Sequence, residues 1–104
     1  MATVRWTTIA RREFRGIVES ATAYSPGFGR TLASRITDAL DDLEPFPRIG
    51  RMVPDFQDDA LRELIVDDYR VVYRLVGAEA WILTVIHGSR DLLRHLPDGP
   101  WDIE

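Results

Sequence analysis

The sequence contains neither cysteine nor lysine and has only two histidines, His87 and His95. Without cysteine there can be no disulfide, no thiol nucleophile and no thiolate metal site, and this absence is typical of proteins in a reducing compartment. Two histidines are too few for a histidine-rich metal site, so we predict no bound metal. The seven glycines are scattered and form no glycine-rich phosphate loop, so no cofactor is predicted either.

Long apolar runs are also missing, since no stretch approaches the roughly 20 residues of a membrane span. The first residues lack the basic start and the apolar run of a signal peptide, so we expect a cytoplasmic protein with no membrane partner. The chain has 104 residues, of which 45% are hydrophobic, and this is the size of one ordinary domain. We therefore predict a single domain over residues 1–104.

The charge of the chain is unusual in its composition. All 13 basic residues are arginine, yet the formal net charge is −4. A negative charge argues against a generic nucleic-acid binder, because such domains carry a clustered positive excess. The planar arginine side chain can bind phosphate or carboxylate in bidentate fashion, so recognition of an anion stays possible. A genome of biased base composition is the simpler explanation for the missing lysines, and we favour it.

Two amphipathic helices are predicted in the first half of the chain. A short strand through Val4 and Trp6 ends at Thr7, a typical N-cap residue, while Ser25 begins the second helix and Pro45 ends it. Apolar residues recur at helical spacing in both segments: Ala10, Phe14, Ile17, Val18 and Ala21, then Phe28, Leu32, Ile36, Ala39, Leu40 and Leu43. We expect a helical hairpin with one shared apolar side.

The second half is predicted to form an antiparallel sheet. Leu61–Val66, Tyr69–Val76 and Trp81–His87 are rich in β-branched and aromatic residues, and Asp67-Asp68 resembles a tight turn. The last two segments are apolar at nearly every position, which indicates that both sheet faces are covered. The hairpin can cover only one face, so the other should be shielded by another chain or by Leu92, Leu93, Leu96, Trp101 and Ile103. The fold class is thus α+β, with a short C-terminal helix or tail.

Several arginines fall on this predicted sheet. Arg70 and Arg74 share one face of their strand, and Arg62 and Arg90 could complete a cationic patch for a partner or target. The alternative is a set of ordinary ion pairs with neighbouring carboxylates, namely Glu63, Asp67, Asp68 and Asp91. His87 could act as a general acid or base near neutral pH, although a lone histidine at a strand end is usually structural.

The order of these segments resembles the RelE/ParE superfamily of type II toxin-antitoxin toxins over most of the chain. The resemblance is carried by Trp6-Thr7, Ser25-Pro26, Leu43 to Arg51, Val53-Pro54, Arg62-Glu63-Leu64, Tyr69 to Arg74 and His87 to Asp91. It implies a β-α-α-β-β-β fold and expression beside a cognate antitoxin. It also implies a hetero-oligomer with that antitoxin and growth arrest when the toxin is free.

The resemblance implies two alternative targets. RelE-like members are ribosome-dependent endoribonucleases, or mRNA interferases, and in such an enzyme Arg70 and Arg90 would hold phosphate, with His87 as acid and Glu63 as base. ParE-like members inhibit DNA gyrase and are not nucleases. The lysines of the RelE branch and the tyrosine expected after Arg90 are absent, and the acidic charge disfavours a ribosome-binding protein. We therefore favour a ParE-like inhibitor that binds antitoxin or target through Arg62, Arg70, Arg74 and Arg90, with a non-toxic partner-binding relative as a third possibility.

Overall fold

The computed structural model describes residues 1–95, apart from the side chain of Leu93. Its elements are β1 (Thr3–Trp6), α1 (Thr8–Tyr24), α2 (Pro26–Asp41), β2 (Arg51–Met52), β3 (Leu61–Val66), β4 (Tyr69–Val76), β5 (Glu79–His87) and α3 (Leu92–His95). The strands form one sheet in the order β1-β5-β4-β3-β2, and the α1–α2 hairpin packs on one face. The predicted α+β class and helical hairpin are confirmed.

Two capping residues fix the helical hairpin. The Thr7 hydroxyl accepts a hydrogen bond from the Ala10 amide and donates one to the Ile82 carbonyl, so it joins the start of α1 to β5. Ser25 ends α1 and begins α2, since its amide donates to the Ala21 carbonyl while its hydroxyl accepts from the Phe28 amide. The sequence predicted both caps, and a one-residue connection forces the two helices to lie antiparallel and adjacent.

The sheet is mixed, and this corrects the prediction of a wholly antiparallel sheet. β1 pairs with β5 in parallel, whereas every other pair of neighbouring strands is antiparallel. The sequence could not reveal this because alternation of apolar residues sets which face a side chain occupies and not the direction of the neighbouring strand. β2 is a two-residue strand at the edge of the sheet and was not among the predicted strands.

Both faces of the sheet carry an apolar cluster. The cluster beneath the helices includes Leu32, Ile36 and Leu43 with Val71, Tyr73, Ile82 and Val85 of the sheet. The cluster on the far face contains Leu61, Val72, Leu83 and Ile86, and it is joined by residues from outside the sheet: Val53, Phe56 and Leu92. The prediction that both faces are covered is therefore confirmed.

The cover of the far face differs from the expected one. It comes from the loop between β2 and β3 and from Leu92 of α3, so residues of this chain bury much of the face. Of the predicted tail cover, Leu96, Trp101 and Ile103 lie outside the described residues. Of the two alternatives, cover by the chain's own tail is confirmed for Leu92, whereas the contribution of Val53 and Phe56 from the loop was not predicted.

The hydroxyl of Tyr73 holds the loop after α2 against the core. It donates to the Pro47 carbonyl at 2.8 Å and accepts from the Gly50 amide at 2.9 Å. Burial raises the pKa of this phenol above its ordinary value of 10.0, although the bond from Gly50 and the charges of Arg62 and Arg48 act in the opposite direction. The folded state thus favours the neutral phenol.

We expect Tyr73→Phe to lower the free energy of unfolding by about 1–3 kcal/mol, because two buried backbone groups lose their partner. The stabilisation from the neutral phenol is complete below its unfolded pKa, about 10, and is lost as pH rises through the higher folded pKa. Wild-type stability should therefore fall more steeply above pH 10 than that of the variant. Urea unfolding across this range measures both effects, and Tyr24→Phe is the control because Tyr24 is 88% exposed. Parallel curves for wild type and Tyr73→Phe would contradict the argument.

Candidate functional site

The predicted site residues gather where β4 begins and β5 ends. Tyr69 pairs with His87 across the two strands, and their rings meet edge to face with centroids 5.6 Å apart. The Gly88 amide then donates to the Asp68 carbonyl at 2.7 Å. A Cβ at Gly88 would lie 3.2 Å from that oxygen, so glycine allows this close approach. The loop after β5 is therefore anchored to the β3–β4 turn.

His87 is exposed at this end, with a defined arrangement around one ring nitrogen. The Ser89 amide donates to Nδ1 at 3.1 Å, and the Ser89 hydroxyl lies 2.7 Å from the same atom. Because Nδ1 accepts the amide hydrogen, the neutral ring carries its proton on Nε2. His87 can thus present an N–H donor to a bound molecule.

Two grooves flank His87, and His87 and Tyr69 line both. The helix-side groove has a volume of about 480 Å³ and lies between α1 and the ends of β4 and β5, where Arg90 forms part of its wall. The far-face groove has a volume of about 500 Å³ and includes Arg51 and Arg70. Arg70 and Arg90 therefore line different grooves, so the predicted phosphate-holding pair is divided between the two sides of His87.

A buried ion-pair network fixes Arg70. Glu63 has no exposed side-chain surface, and its carboxylate accepts from Arg51 Nε and from Arg70 Nε, both at 2.7 Å. Arg70 Nη2 also donates to Asp55 at 2.6 Å. Burial opposes the charge of Arg70, but hydrogen bonds and attraction from Asp55 and Glu63 raise its pKa above the ordinary value. Glu63 is thus a structural counter-ion without access to solvent.

Arg62 and Arg74 are also paired with carboxylates, Arg74 on the far face and Arg62 on the helix side of β3, where it lies opposite Tyr73. Arg62 donates to the Asp59 carboxylate at 2.6 Å and to the Gly50 carbonyl at 3.1 Å. Arg74 Nη1 lies 2.9 Å from Asp58, although the two groups are not aligned as a hydrogen bond. The predicted common face of Arg70 and Arg74 is confirmed. Besides Glu63, the ion-pair partners of the three arginines are loop residues that were not among the predicted partners: Asp55, Asp58 and Asp59.

Arg90 differs from these three arginines. It is exposed, and within residues 1–95 no carboxylate forms an ion pair with it. Of the four arginines predicted to bind a partner or target, Arg90 alone offers an unpaired guanidinium in the described part of the chain. Within the described residues, the cationic patch expected from the sequence therefore contains one unpaired guanidinium.

Glu13 of α1 is a polar residue of this region that sequence reasoning missed. Its carboxylate accepts from the Thr84 hydroxyl at 2.7 Å and the Val85 amide at 3.3 Å, and it lies 2.6 Å from His95 Nε2. It thereby links α1, β5 and α3 at the edge of the helix-side groove. Its position could have indicated this role, because Glu13 lies three residues after Ala10 and so is a charged residue on the apolar stripe of α1.

The described residues contain neither a metal cluster nor a membrane-spanning helix. Over residues 1–95, no group of three or more histidine, aspartate or glutamate side chains is placed to hold a metal ion. In that same part of the chain, no helix is long and apolar enough to cross a membrane.

Comparison with known proteins identifies one family. The model of the ParE toxin of the type II toxin-antitoxin system parDE matches residues 4–92. No curated protein matches the chain.

Solved structures resemble the chain as well. One is the chromosomal ParDE toxin-antitoxin system from P. aeruginosa, with TM-score 0.70, 19% identity, and coverage of 84% of this chain and 96% of that one. Another is the toxin-antitoxin complex RelBE2 from Mycobacterium tuberculosis, with TM-score 0.56, 30% identity, and coverage of 83% and 96%. The first likeness supports the fold alone, and the second extends to sequence.

Proposed function

Because the chain belongs to the ParE toxin family of type II toxin-antitoxin systems, we propose that it arrests growth by inhibiting DNA gyrase. The inhibition would act through binding, with no catalytic residue in the toxin. The observation that carries this proposal is the state of Arg70, which is only 8% exposed and is bound by two carboxylates. Because two carboxylates already neutralise this buried guanidinium, it can do little to stabilise the negative charge of a phosphate that is being cleaved.

A cognate antitoxin is proposed to neutralise the toxin in a cytoplasmic hetero-oligomer. Both structural relatives belong to toxin-antitoxin assemblies by name, which supports such a partner. An acidic antitoxin segment that reached Arg70 or Arg74 would have to displace Asp55 or Asp58. Arg90 requires no such exchange, so we propose Arg90 as the first contact for a carboxylate of the antitoxin.

One observation favours the ribonuclease alternative. His87 and Arg90 line the same helix-side groove, and the neutral His87 ring carries its proton on Nε2. In that mechanism Arg90 would hold the phosphate while the 2′-oxygen bonds to phosphorus and gives its proton to water. His87 would act as the acid that protonates the 5′-oxygen as its bond to phosphorus breaks. Arg70 and Glu63 would act only through the fold, since Glu63 is inaccessible.

The variant His87→Ala separates the two mechanisms. On the proposed function it arrests growth as strongly as wild type, because binding needs no proton transfer. Induced cells should accumulate gyrase-linked DNA breaks while their messenger RNA stays intact, and mapping of RNA 5′ ends and of DNA breaks measures both. Arg30→Ala is the matched control, since Arg30 is exposed on α2 without an ion pair in the described residues.

Two results would contradict the proposed function. Loss of arrest in His87→Ala at an unchanged thermal midpoint, together with cut messenger RNA in wild type, would establish the ribonuclease instead. Full tolerance of wild-type overexpression, with a stable antitoxin complex, would indicate a non-toxic partner-binding relative.

A further inference from the structure

An exposed apolar surface lies at the other end of the molecule, on the loop between α2 and β2. We call it the proline-loop surface and define it by Met1, Pro45, Phe46, Pro47 and Ile49. Arg48 also lines it, but its charge is paired with Asp59. Phe46 is 63% exposed, Ile49 is 52% exposed and Met1 is 93% exposed. Phe46 and Ile49 border one shallow depression, and Met1 borders a second that shares Pro47 with the first. Adjacent exposed aromatic and aliphatic side chains of this kind mark protein interaction sites.

The loop that carries this surface is rigid. The Phe46 amide donates to the Asp42 carbonyl, and the Ile49 amide donates to the Phe46 carbonyl. The buried Tyr73 hydroxyl bridges the Pro47 carbonyl and the Gly50 amide, so the loop is tied to the core on both sides of Ile49. A surface held in one arrangement loses little conformational entropy when a partner binds.

Three unpaired carboxylates precede the proline-loop surface along the chain. Asp41, Asp42 and Glu44 are exposed, and none forms an ion pair with any residue in the range 1–95. Asp41 and Asp42 also stand at the C-terminal end of α2, where the last turn contains no basic residue. Because a helix C-terminus carries partial negative charge, acidic residues are unfavourable there. Residues 1–95 supply no ion pair that compensates these carboxylates.

A second copy of this chain does not fit the surface. In a symmetric dimer the three carboxylates of each copy would face those of the other, and each chain carries a net charge of −4. Charges of one sign in contact are repulsive, so the surface favours a partner of opposite charge. The complementary partner is a protein segment with apolar side chains flanked by arginine or lysine.

We propose that the proline-loop surface is where the toxin docks on its protein target, by accepting such an apolar and basic segment. This inference rests on the proposed function, because an inhibitor that acts without chemistry must obtain its affinity from an exposed contact surface. Phe46 and Ile49 supply the apolar anchors, and the three carboxylates orient the target and keep other acidic proteins away.

The test uses full-length toxin, wild type and variant, immobilised for binding of purified gyrase and induced in cells for growth arrest. Phe46→Ser with Ile49→Ser should weaken gyrase retention about tenfold or more and abolish arrest, while binding to antitoxin stays unchanged. Ile9→Ser is the matched control, because Ile9 is 53% exposed but lies on α1. Thermal unfolding checks that each variant is folded.

A second variant reverses the charge of the rim. Asp41→Arg with Asp42→Arg should weaken gyrase retention and remove its dependence on salt, yet should leave the thermal midpoint equal or higher, since the helix end gains favourable charge. A purely structural role for these residues would instead lower the midpoint. This variant therefore tests the inference even if the serine variant fails to fold.

The possible failures can be told apart. If wild type neither binds gyrase nor arrests growth, the proposed function and this inference both fall. If wild type binds gyrase and both variants bind it equally well, only the inference is overturned. Loss of antitoxin binding with retained arrest would also overturn it, because the surface would then belong to the antitoxin.

Discussion

Glu63→Ala is expected to lower the free energy of unfolding by about 3–5 kcal/mol, a large share of the stability of a small domain. Glu63 is fully buried and is the common partner of Arg51 and Arg70. Without the Glu63 carboxylate, the largely buried Arg70 keeps only Asp55 as an ion-pair partner. The positive charge of Arg70 then loses its most deeply buried counter-ion. Urea unfolding at neutral pH measures the loss.

A matched control and a rescue define the origin of this effect. Arg35→Ala breaks the exposed pair with Asp67 and should change stability by less than about 1 kcal/mol. Replacing Glu63 and Arg70 together with leucine and methionine should recover most of the loss, because an apolar pair removes the uncompensated charge. Equal unfolding midpoints for Glu63→Ala and Arg35→Ala would show that the network does not stabilise the fold.

Gly50→Val is expected to destabilise the protein by about 2–3 kcal/mol, as overpacking in a filled interior does. A Cβ at Gly50 would lie 2.7 Å from the Glu63 carbonyl oxygen and 2.6 Å from the Tyr73 hydroxyl. The first contact is with backbone, so it cannot be relieved by rotation of a side chain. The Tyr73 bridge to the loop would have to shift, and thermal unfolding measures the consequence.

The opposite result is expected at Gly16, which makes it a control of the same chemical type. Gly16 lies within α1, and a Cβ there would meet no atom within 4 Å. Gly16→Ala should therefore raise stability by roughly 0.5–1 kcal/mol through helix propensity alone. A loss of stability at Gly16, or none at Gly50, would contradict these packing arguments.

The Tyr73 bridge and the Glu63 network together support both ends of the molecule. Tyr73 and Gly50 hold the loop that bears the proline-loop surface, whereas Glu63 and Asp55 hold Arg70 beneath the far-face groove. The two regions are therefore supported by different buried residues. Variants of exposed residues in either region can be interpreted separately from changes in the core.

Local features of the fold were predictable because they depend on neighbours in the sequence. Thr7 and Ser25 act as the predicted caps, and the alternation along β4 placed Arg70 and Arg74 on one face. The parallel pairing of β1 with β5 was not predictable, since β1 is four residues long and contacts a strand more than seventy positions away. Its direction is set by the path of the whole chain.

The sequence by itself determined the helical hairpin, the apolar strands of the second half and the family, because periodicity, capping and motif order are properties of neighbouring residues. The tertiary structure alone decided which arginines remain available. Asp55, Asp58 and Asp59 lie in a loop that folds over the far face and neutralises Arg62, Arg70 and Arg74, while Arg90 remains exposed on the other side of His87. Ion pairing requires atoms to approach within a few ångströms, and only the folded backbone brings residues distant in sequence that close.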